Sequence, residues 1–242
     1  MQADDVVELR IQGDIIDDGS AWYYEWFEED YIAPNSFRNE LKNHDGKEVH
    51  VIIDSFGGDV FAGTSIYSDL KARNGKTVGI VHSKAMSSAT IILMGCDEIR
   101  ISPTAMLMIH DPITGVYGDI SVVEQTLKVL NEVKESILNA YIQKTGRSRE
   151  ELSNMMTNET WMSAHKAVEL GFADSVIDEG EQPVVNNFSV GRLQITNSMT
   201  SSVEKFKKLN EERVKAENAK QLEIENKIKS EKEQLEMEIY FI

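Results

Sequence analysis

Hydrophobic and polar positions alternate with two different periods along the first half of the chain. Residues 6–15 alternate with a period of two, which predicts a strand. The apolar runs 48–54 and 76–81 predict buried strands, whereas residues 61–75 are amphipathic with a helical period. Strands that alternate with helices are typical of βαβ units. The pattern therefore predicts an α/β fold with a mostly parallel sheet.

Two further helices are predicted from their end signals. Residues 34–44 (PNSFRNELKNH) predict a helix with Asn35 or Ser36 as its N-cap. Residues 119–146 predict one long helix that ends at Gly146, because glycine readily adopts the left-handed conformation found after helices.

An unusual segment, residues 19–34, combines six aromatic with four acidic residues. The interpretation favoured by the pattern is a helix or loop whose rings pack on the core. The alternative is a contact with another subunit or a patch that docks peptides.

The composition changes near residue 180. Residues 1–180 predict one folded domain, and residues 181–201, rich in Gly, Pro, Asn and Ser, predict a linker. Residues 202–242 are rich in Glu, Lys, Asn and Gln and predict a charged helical extension, marginal alone and able to form a coiled coil with partners.

Charge and cysteine content restrict the function classes. The net charge is −16, and residues 1–180 contain 30 acidic but only 15 basic residues, which argues against nonspecific binding to nucleic acid or anionic membranes. The single cysteine, Cys96, and the absence of a signal peptide or long apolar run lead us to expect a cytoplasmic protein. Neither a P-loop nor a His/Cys cluster is present, so we expect no cofactor and no metal.

Three separate features could together support serine catalysis. Gly57-Gly58 follows a buried strand and could present backbone N–H groups, although a plain tight turn is the commoner reason for such a pair. His110 ends the apolar strand AMLMI, where an α/β fold binds ligands. Ser87 and Ser88 begin a helix, and each alone could be only an N-cap.

The order and spacing of these features resemble a known family. IDSFGGDVFAGTSIYSDL is similar to the NSPGG…AG…IYD segment of caseinolytic serine proteases of the ClpP type. AMSSATIILMG resembles their nucleophile helix, ISPTAMLMIHDP their LPNSRVMIHQP strand, and WMSAHKAVELGFADSVI their FLSAPEAVEYGLVDSI block. The resemblance covers residues 6–178. It implies a ClpP/crotonase-like spiral of ββα units, with the long helix 119–146 as the handle through which rings stack, and hence a homo-oligomeric ring.

The resemblance also implies roles for individual residues. Ser87 matches the nucleophile and His110 the general base, while the N–H groups of Gly58 and Ser88 match the oxyanion hole. The third triad position holds Glu159 where the family has aspartate. Asn158 and Asp174 are alternatives for that position, and Asp174 fits better in a structural turn.

Departures from the housekeeping proteases indicate a narrower group. Phe56 replaces the proline before Gly-Gly, and the aromatic segment and charged extension are additional. These features resemble the ClpP-related head maturation proteases of tailed bacteriophages. The resemblance implies an endopeptidase that cleaves scaffold or capsid proteins, and its own extension, inside the assembling procapsid in the host cytoplasm.

Four alternatives stay open. The chain could be a housekeeping ClpP-like subunit, a catalytically silent capsid scaffold or an acyl-CoA enzyme of the crotonase class. A Ser/Lys dyad that uses Lys84 is weaker, since Lys84 precedes Ser87 by only three residues.

Overall fold

The computed structural model describes residues 6–177, so the predicted linker and the predicted charged helix lie outside the described residues. The strands in this part of the chain are β1 (Val7–Ile15), β2 (Tyr31–Ile32), β3 (Val49–Gly58), β4 (Thr77–Met86), β5 (Glu98–Ile101), β6 (Met106–Ile109), β7 (Thr160–Ser163) and β8 (Ser175–Val176). The α-helices are α1 (Ala21–Phe27), α2 (Pro34–Lys42), α3 (Val60–Ala72), α4 (Ser88–Leu93), α5 (Ile120–Thr145), α6 (Arg149–Thr157) and α7 (Ala164–Glu169).

These strands form one sheet in the order β2-β1-β3-β4-β5-β8, and β6 pairs with both β4 and β7. Each pairing is parallel except that of β6 with β7, which is antiparallel. The prediction of an α/β fold with a mostly parallel sheet is confirmed. Within residues 6–177, no helix combines the length and the apolar character needed to cross a membrane.

The main core lies on one face of the sheet. Alternate residues of β3, Val49, Val51 and Ile53, belong to this core together with residues of α3, α4 and α5. The residue between two of them, Ile52, packs on the opposite face in a small cluster with Val78 and Ile80. The side-chain period of two therefore divides the apolar residues of the central strands between two faces.

The N-terminus of α2 differs from its prediction. Ala33 is the N-cap and makes no side-chain cap hydrogen bond, so the prediction of Asn35 or Ser36 as cap is wrong. Pro34 occupies the first turn, where a missing N–H costs nothing. The backbone N–H of Asn35 donates instead to Asp18 Oδ1 at 2.9 Å.

The aromatic segment also differs from its favoured interpretation. No residue of α1 is fully buried, and Trp22 and Trp26 are 67% and 79% exposed. The prediction that the rings pack on the core is therefore wrong for these two tryptophans. Aromatic residues at consecutive helical positions point in different directions, so one face cannot bury them all. Tyr24 is partly buried and donates its hydroxyl to Asp14 Oδ2 at 3.0 Å.

Helix α5 contains 26 residues and has two distinct halves. Asp119 caps it by accepting the Val122 N–H, and Gly146, with φ 68°, ends it as predicted. Its C-terminal half buries Ile137 and Leu138, whereas its N-terminal half exposes apolar side chains. The role of this helix as a handle stays a prediction.

Candidate active site

Ser87 occupies the turn between β4, which ends at Met86, and α4, which begins at Ser88. Its backbone has φ 55° and ψ −124°, a conformation that residues with a side chain rarely adopt. The Ser87 N–H donates to the Met108 carbonyl at 2.9 Å, and the Ser87 carbonyl accepts the Thr90 N–H at 3.0 Å. Hydrogen bonds on both sides thus hold the strained turn.

The pairing of β4 with β6 brings His110 to Ser87. Met86 lies opposite Met108 in this parallel pair, so both strands end at the same edge of the sheet. His110 Nε2 lies 2.8 Å from Ser87 Oγ. In the neutral tautomer that carries its proton on Nδ1, Nε2 accepts this hydrogen bond from the serine hydroxyl.

The surroundings of His110 favour its neutral form. Partial burial is the largest influence and lowers the pKa of its imidazole. The charges of Glu159 and Asp111, and a backbone hydrogen bond with Asp111, oppose this effect without reversing it. A neutral imidazole near pH 7 can accept a proton, which a general base must do.

Glycine is required at positions 57 and 58 by close backbone approach. A Cβ on Gly57 would lie 2.8 Å from Ser87 Cβ and 3.0 Å from the Ser88 nitrogen, and one on Gly58 would lie 2.1 Å from the Ile15 oxygen. Both have positive φ, 101° and 149°. The Asp59 N–H donates to Ile15 O at 2.7 Å, and successive N–H groups of an extended strand alternate in direction. This alternation supports a Gly58 N–H directed away from β1.

Ser88 is the first residue of α4. Its backbone N–H is free to bind a ligand, because the first N–H groups of a helix have no partner within the helix. Its side chain is buried, with no hydrogen-bond partner for Oγ, next to Gly63 of α3. A Cβ on Gly63 would lie 2.9 Å from Ser88 Cβ, so this glycine lets the two helices approach closely. Gly58, Ser87, Ser88 and His110 line the same cavity.

The three residues considered for the third triad position lie in different surroundings. Glu159 acts on His110 through its charge, but its Oε1 accepts a hydrogen bond from Trp161 Nε1 at 3.0 Å and its side chain is exposed. Asn158 donates to the Asn154 carbonyl of its own helix at 2.8 Å. Asp174 Oδ2 accepts from the Ile99 N–H at 2.6 Å and from Lys144 Nζ at 2.9 Å, as expected for a structural turn.

Lys84 has partners other than Ser87. Its ammonium forms an ion pair with Asp54 and lies 4.6 Å from the ring centroid of Phe56. A Ser/Lys dyad would need the lysine nitrogen as the partner of Ser87 Oγ, whose partner in the structure is His110 Nε2. The geometry therefore does not favour a Ser/Lys dyad.

An apolar cavity of about 380 Å³ adjoins the Ser87 hydroxyl. Its polar end contains Ser87 and His110, and one wall consists of α5 residues at helical spacing, Val129, Val133 and Ile137. The local sequence pattern of α5 did not indicate that these residues belong to the site. Their spacing of four residues could have indicated a shared face. Across residues 6–177, no group of three or more His, Cys, Asp or Glu side chains is arranged to hold a metal ion.

Comparison with known proteins identifies the family of this chain. The sequence model described as "Clp protease" matches residues 40–180, more than half of the chain. The chain belongs to the Clp protease family. An ATP-dependent Clp protease proteolytic subunit of Bacteroides fragilis is 28% identical over 155 residues, which cover 62% of this chain and 74% of the relative. The proteolytic subunit 1 of Chlamydia muridarum is 27% identical over 136 residues, 54% of this chain and 71% of the relative.

The resemblance to ClpP-type proteases is therefore confirmed at the level of the family. These Clp protease relatives do not test the closer likeness to bacteriophage head maturation proteases, which stays a prediction.

Proposed function

We propose that this member of the Clp protease family is a serine endopeptidase with Ser87 as its nucleophile and His110 as its general base. The observation that carries the proposal is the 2.8 Å contact between Ser87 Oγ and His110 Nε2 at a strained, hydrogen-bonded turn. The adjoining apolar cavity supports it, because a peptidase must hold a substrate side chain beside its nucleophile.

In the proposed reaction, Ser87 Oγ attacks the carbonyl carbon of the scissile peptide bond while His110 Nε2 takes its proton. The negative oxygen of the tetrahedral intermediate accepts hydrogen bonds from the Gly58 and Ser88 N–H groups. His110 then gives the proton to the leaving amine, and an ester of Ser87 is left. Water attacks this ester with His110 again as base, and Ser87 is regenerated. The negative charge of Glu159 stabilises the His110 imidazolium that forms both when the ester is made and when it is hydrolysed.

The proposed substrate is an extended segment of a protein with an apolar side chain on the acyl side of the cleaved bond. The cavity wall formed by Val129, Val133 and Ile137 offers such a side chain little but apolar contact. Extended peptides bind beside a sheet edge mainly through backbone hydrogen bonds, so we propose that this side chain is the main determinant of the cleavage site.

We propose a ring of identical subunits that cleaves scaffold and capsid proteins, and its own charged extension, during procapsid assembly. Exposed apolar residues before and within the first half of α5 support association of copies, among them Tyr117, Ile120 and Leu127. The exposed tryptophans of α1 and the charged composition of residues 202–242 are the features that support the bacteriophage role.

The direct test is labelling with a peptidyl or fluoro-phosphonate, followed by mass spectrometry of the intact protein and its peptides. One phosphonyl group on Ser87 is expected, with loss of labelling in Ser87→Ala and retention in the matched variant Ser83→Ala. An unlabelled Ser87 together with tight binding of an acyl-CoA would overturn the peptidase proposal in favour of a crotonase-class enzyme.

A second test addresses the biological role. Shells assembled from capsid and scaffold proteins in the presence of Ser87→Ala should form but stay uncleaved, whereas outright failure of assembly would indicate a silent scaffold. Self-processing predicts that truncation within residues 180–242 disappears in the same variant.

A further inference from the structure

Asp111, the residue that follows His110, is held by two residues from distant parts of the chain. Its Oδ1 lies 2.7 Å from Lys134 Nζ, and its Oδ2 accepts a hydrogen bond from Thr157 Oγ1 at 3.0 Å. Lys134 Nζ and Thr157 Oγ1 also contact each other at 2.8 Å. The three polar groups therefore form a closed triangle.

This triangle joins three elements of the fold. Asp111 lies in the loop after β6, Lys134 on α5 and Thr157 at the end of α6. The Lys134 side chain is only 17% exposed, and its ammonium also approaches the Ser153 carbonyl at 3.5 Å. A partly buried lysine with several partners restrains its neighbours more than an isolated surface ion pair does.

We propose that Asp111, Lys134 and Thr157 form a clamp that positions His110 against Ser87, and that the Lys134 ammonium shields the imidazole from the Asp111 carboxylate. The inference rests on the proposed peptidase function and extends it to residues that do not touch the substrate.

The charges around His110 make the clamp measurable. The imidazole is influenced by Asp111 on its own loop and by Glu159 from the turn before β7, and both favour its charged form. Lys134, from α5, carries the positive charge that offsets Asp111. Loss of the ammonium should raise the pKa of His110, loss of the carboxylate should lower it, and loss of the Thr157 hydroxyl should leave it unchanged.

The experiment titrates the His110 imidazole by NMR in full-length protein that carries Ser87→Ala, with His110→Gln used to assign the signal. Lys134→Met should raise the His110 pKa by about 0.5, a shift of the size expected for charges several ångströms apart near solvent, and Asp111→Asn should lower it similarly. Thr157→Val tests the clamp without a charge change. Lys128→Met is the matched control, because Lys128 is an exposed lysine on the same helix.

The rate of phosphonate labelling with Ser87 intact gives the second measurement. Lys134→Met and Thr157→Val should each slow labelling roughly 10- to 100-fold through misplacement of the base, and Lys134→Arg should restore most of the rate. If Lys134→Met leaves both the His110 pKa and the labelling rate at the values of Lys128→Met, the clamp does not exist. If Ser87 of the unchanged protein is never labelled, the peptidase proposal fails, while the order of the NMR titrations still decides whether the clamp acts on His110.

Discussion

A methyl group added at Gly57 would clash with the turn that carries Ser87. Gly57 has a φ of 101°, and a Cβ there would lie 2.6 Å from the Met86 oxygen, 2.8 Å from Ser87 Cβ and 3.0 Å from the Ser88 nitrogen. Two of these three atoms belong to the backbone, so the clash in Gly57→Ala cannot be relieved by a side-chain rotation. The turn that carries Ser87 must move.

The cost follows from two contributions. A left-handed conformation costs a residue with a side chain about 1–2 kcal/mol, and an added methyl group in a closely packed site costs about 1–3 kcal/mol, so Gly57→Ala should lose roughly 2–5 kcal/mol of unfolding free energy. For a chain of this size, the melting temperature should fall by roughly 5–15 °C. Displacement of the Ser88 N–H, a proposed oxyanion donor, should slow phosphonate labelling by about 10²–10³-fold.

Gly46→Ala is the matched control, because Gly46 has φ 78° but no atom within 4 Å of an added Cβ. It should therefore lose only the backbone contribution, about 1–2 kcal/mol, and keep its labelling rate. Differential scanning fluorimetry measures the stability of both variants, and the second-order rate constant with a phosphonate measures the site. A Gly57→Ala protein that labels as fast as Gly46→Ala would refute the placement of Gly57 against the Ser87 turn.

Further predictions concern the base, the cavity and the core. Burial lowers the pKa of His110 from its ordinary 6.5, and only the neutral imidazole accepts a proton. The labelling rate should therefore still be high at pH 6.5 and should fall only at lower pH, as the pH drops through the lowered pKa. A midpoint of the pH profile above 6.5 would contradict this. Peptides with Leu before the cleaved bond should be preferred to Ala by about 2 kcal/mol, or roughly 30-fold, and Val133→Phe should remove most of that preference in kcat/KM by filling the cavity. Lys84→Met should keep its phosphonate labelling, whereas complete loss in a folded variant would favour a Ser/Lys dyad. Cys96 is fully buried and its thiol pKa is raised to about 12, so a thiol reagent should modify it only in denaturant.

The strand-helix alternation was sufficient to predict the parallel sheet and to place His110 at the carboxyl end of a strand, where such folds bind ligands. Ser87 lies six residues beyond the predicted strand 76–81, so its pairing with His110 needed the resemblance to a family. The choice of Ser87 over Ser88 needed the resemblance to a family, because a helix start accepts serine at either position. The structure distinguishes them, since Ser87 Oγ contacts His110 while Ser88 Oγ is buried without a partner.

Other features could not be read from local patterns. Strands β3 and β4 continue through polar residues such as Ser55 and Lys84, because pairing with neighbouring strands supplies the hydrogen bonds that an isolated pattern does not reveal. The triangle of Asp111, Lys134 and Thr157 depends on contacts between residues 23 or more positions apart. No period along the chain marks such a contact before the helices are packed.

The pairing of Met86 with Met108 also determines when a newly synthesised chain acquires its candidate active site. Until β6 docks beside β4, Ser87 has neither the carbonyl that holds its N–H nor the imidazole that would receive its proton. Before β6 has paired with β4, the Ser87 hydroxyl therefore has the low reactivity of an ordinary alcohol. Under the proposed mechanism, a polypeptide whose folding stalls before residue 110 cannot cleave other proteins, because the proposed base is not yet beside the proposed nucleophile.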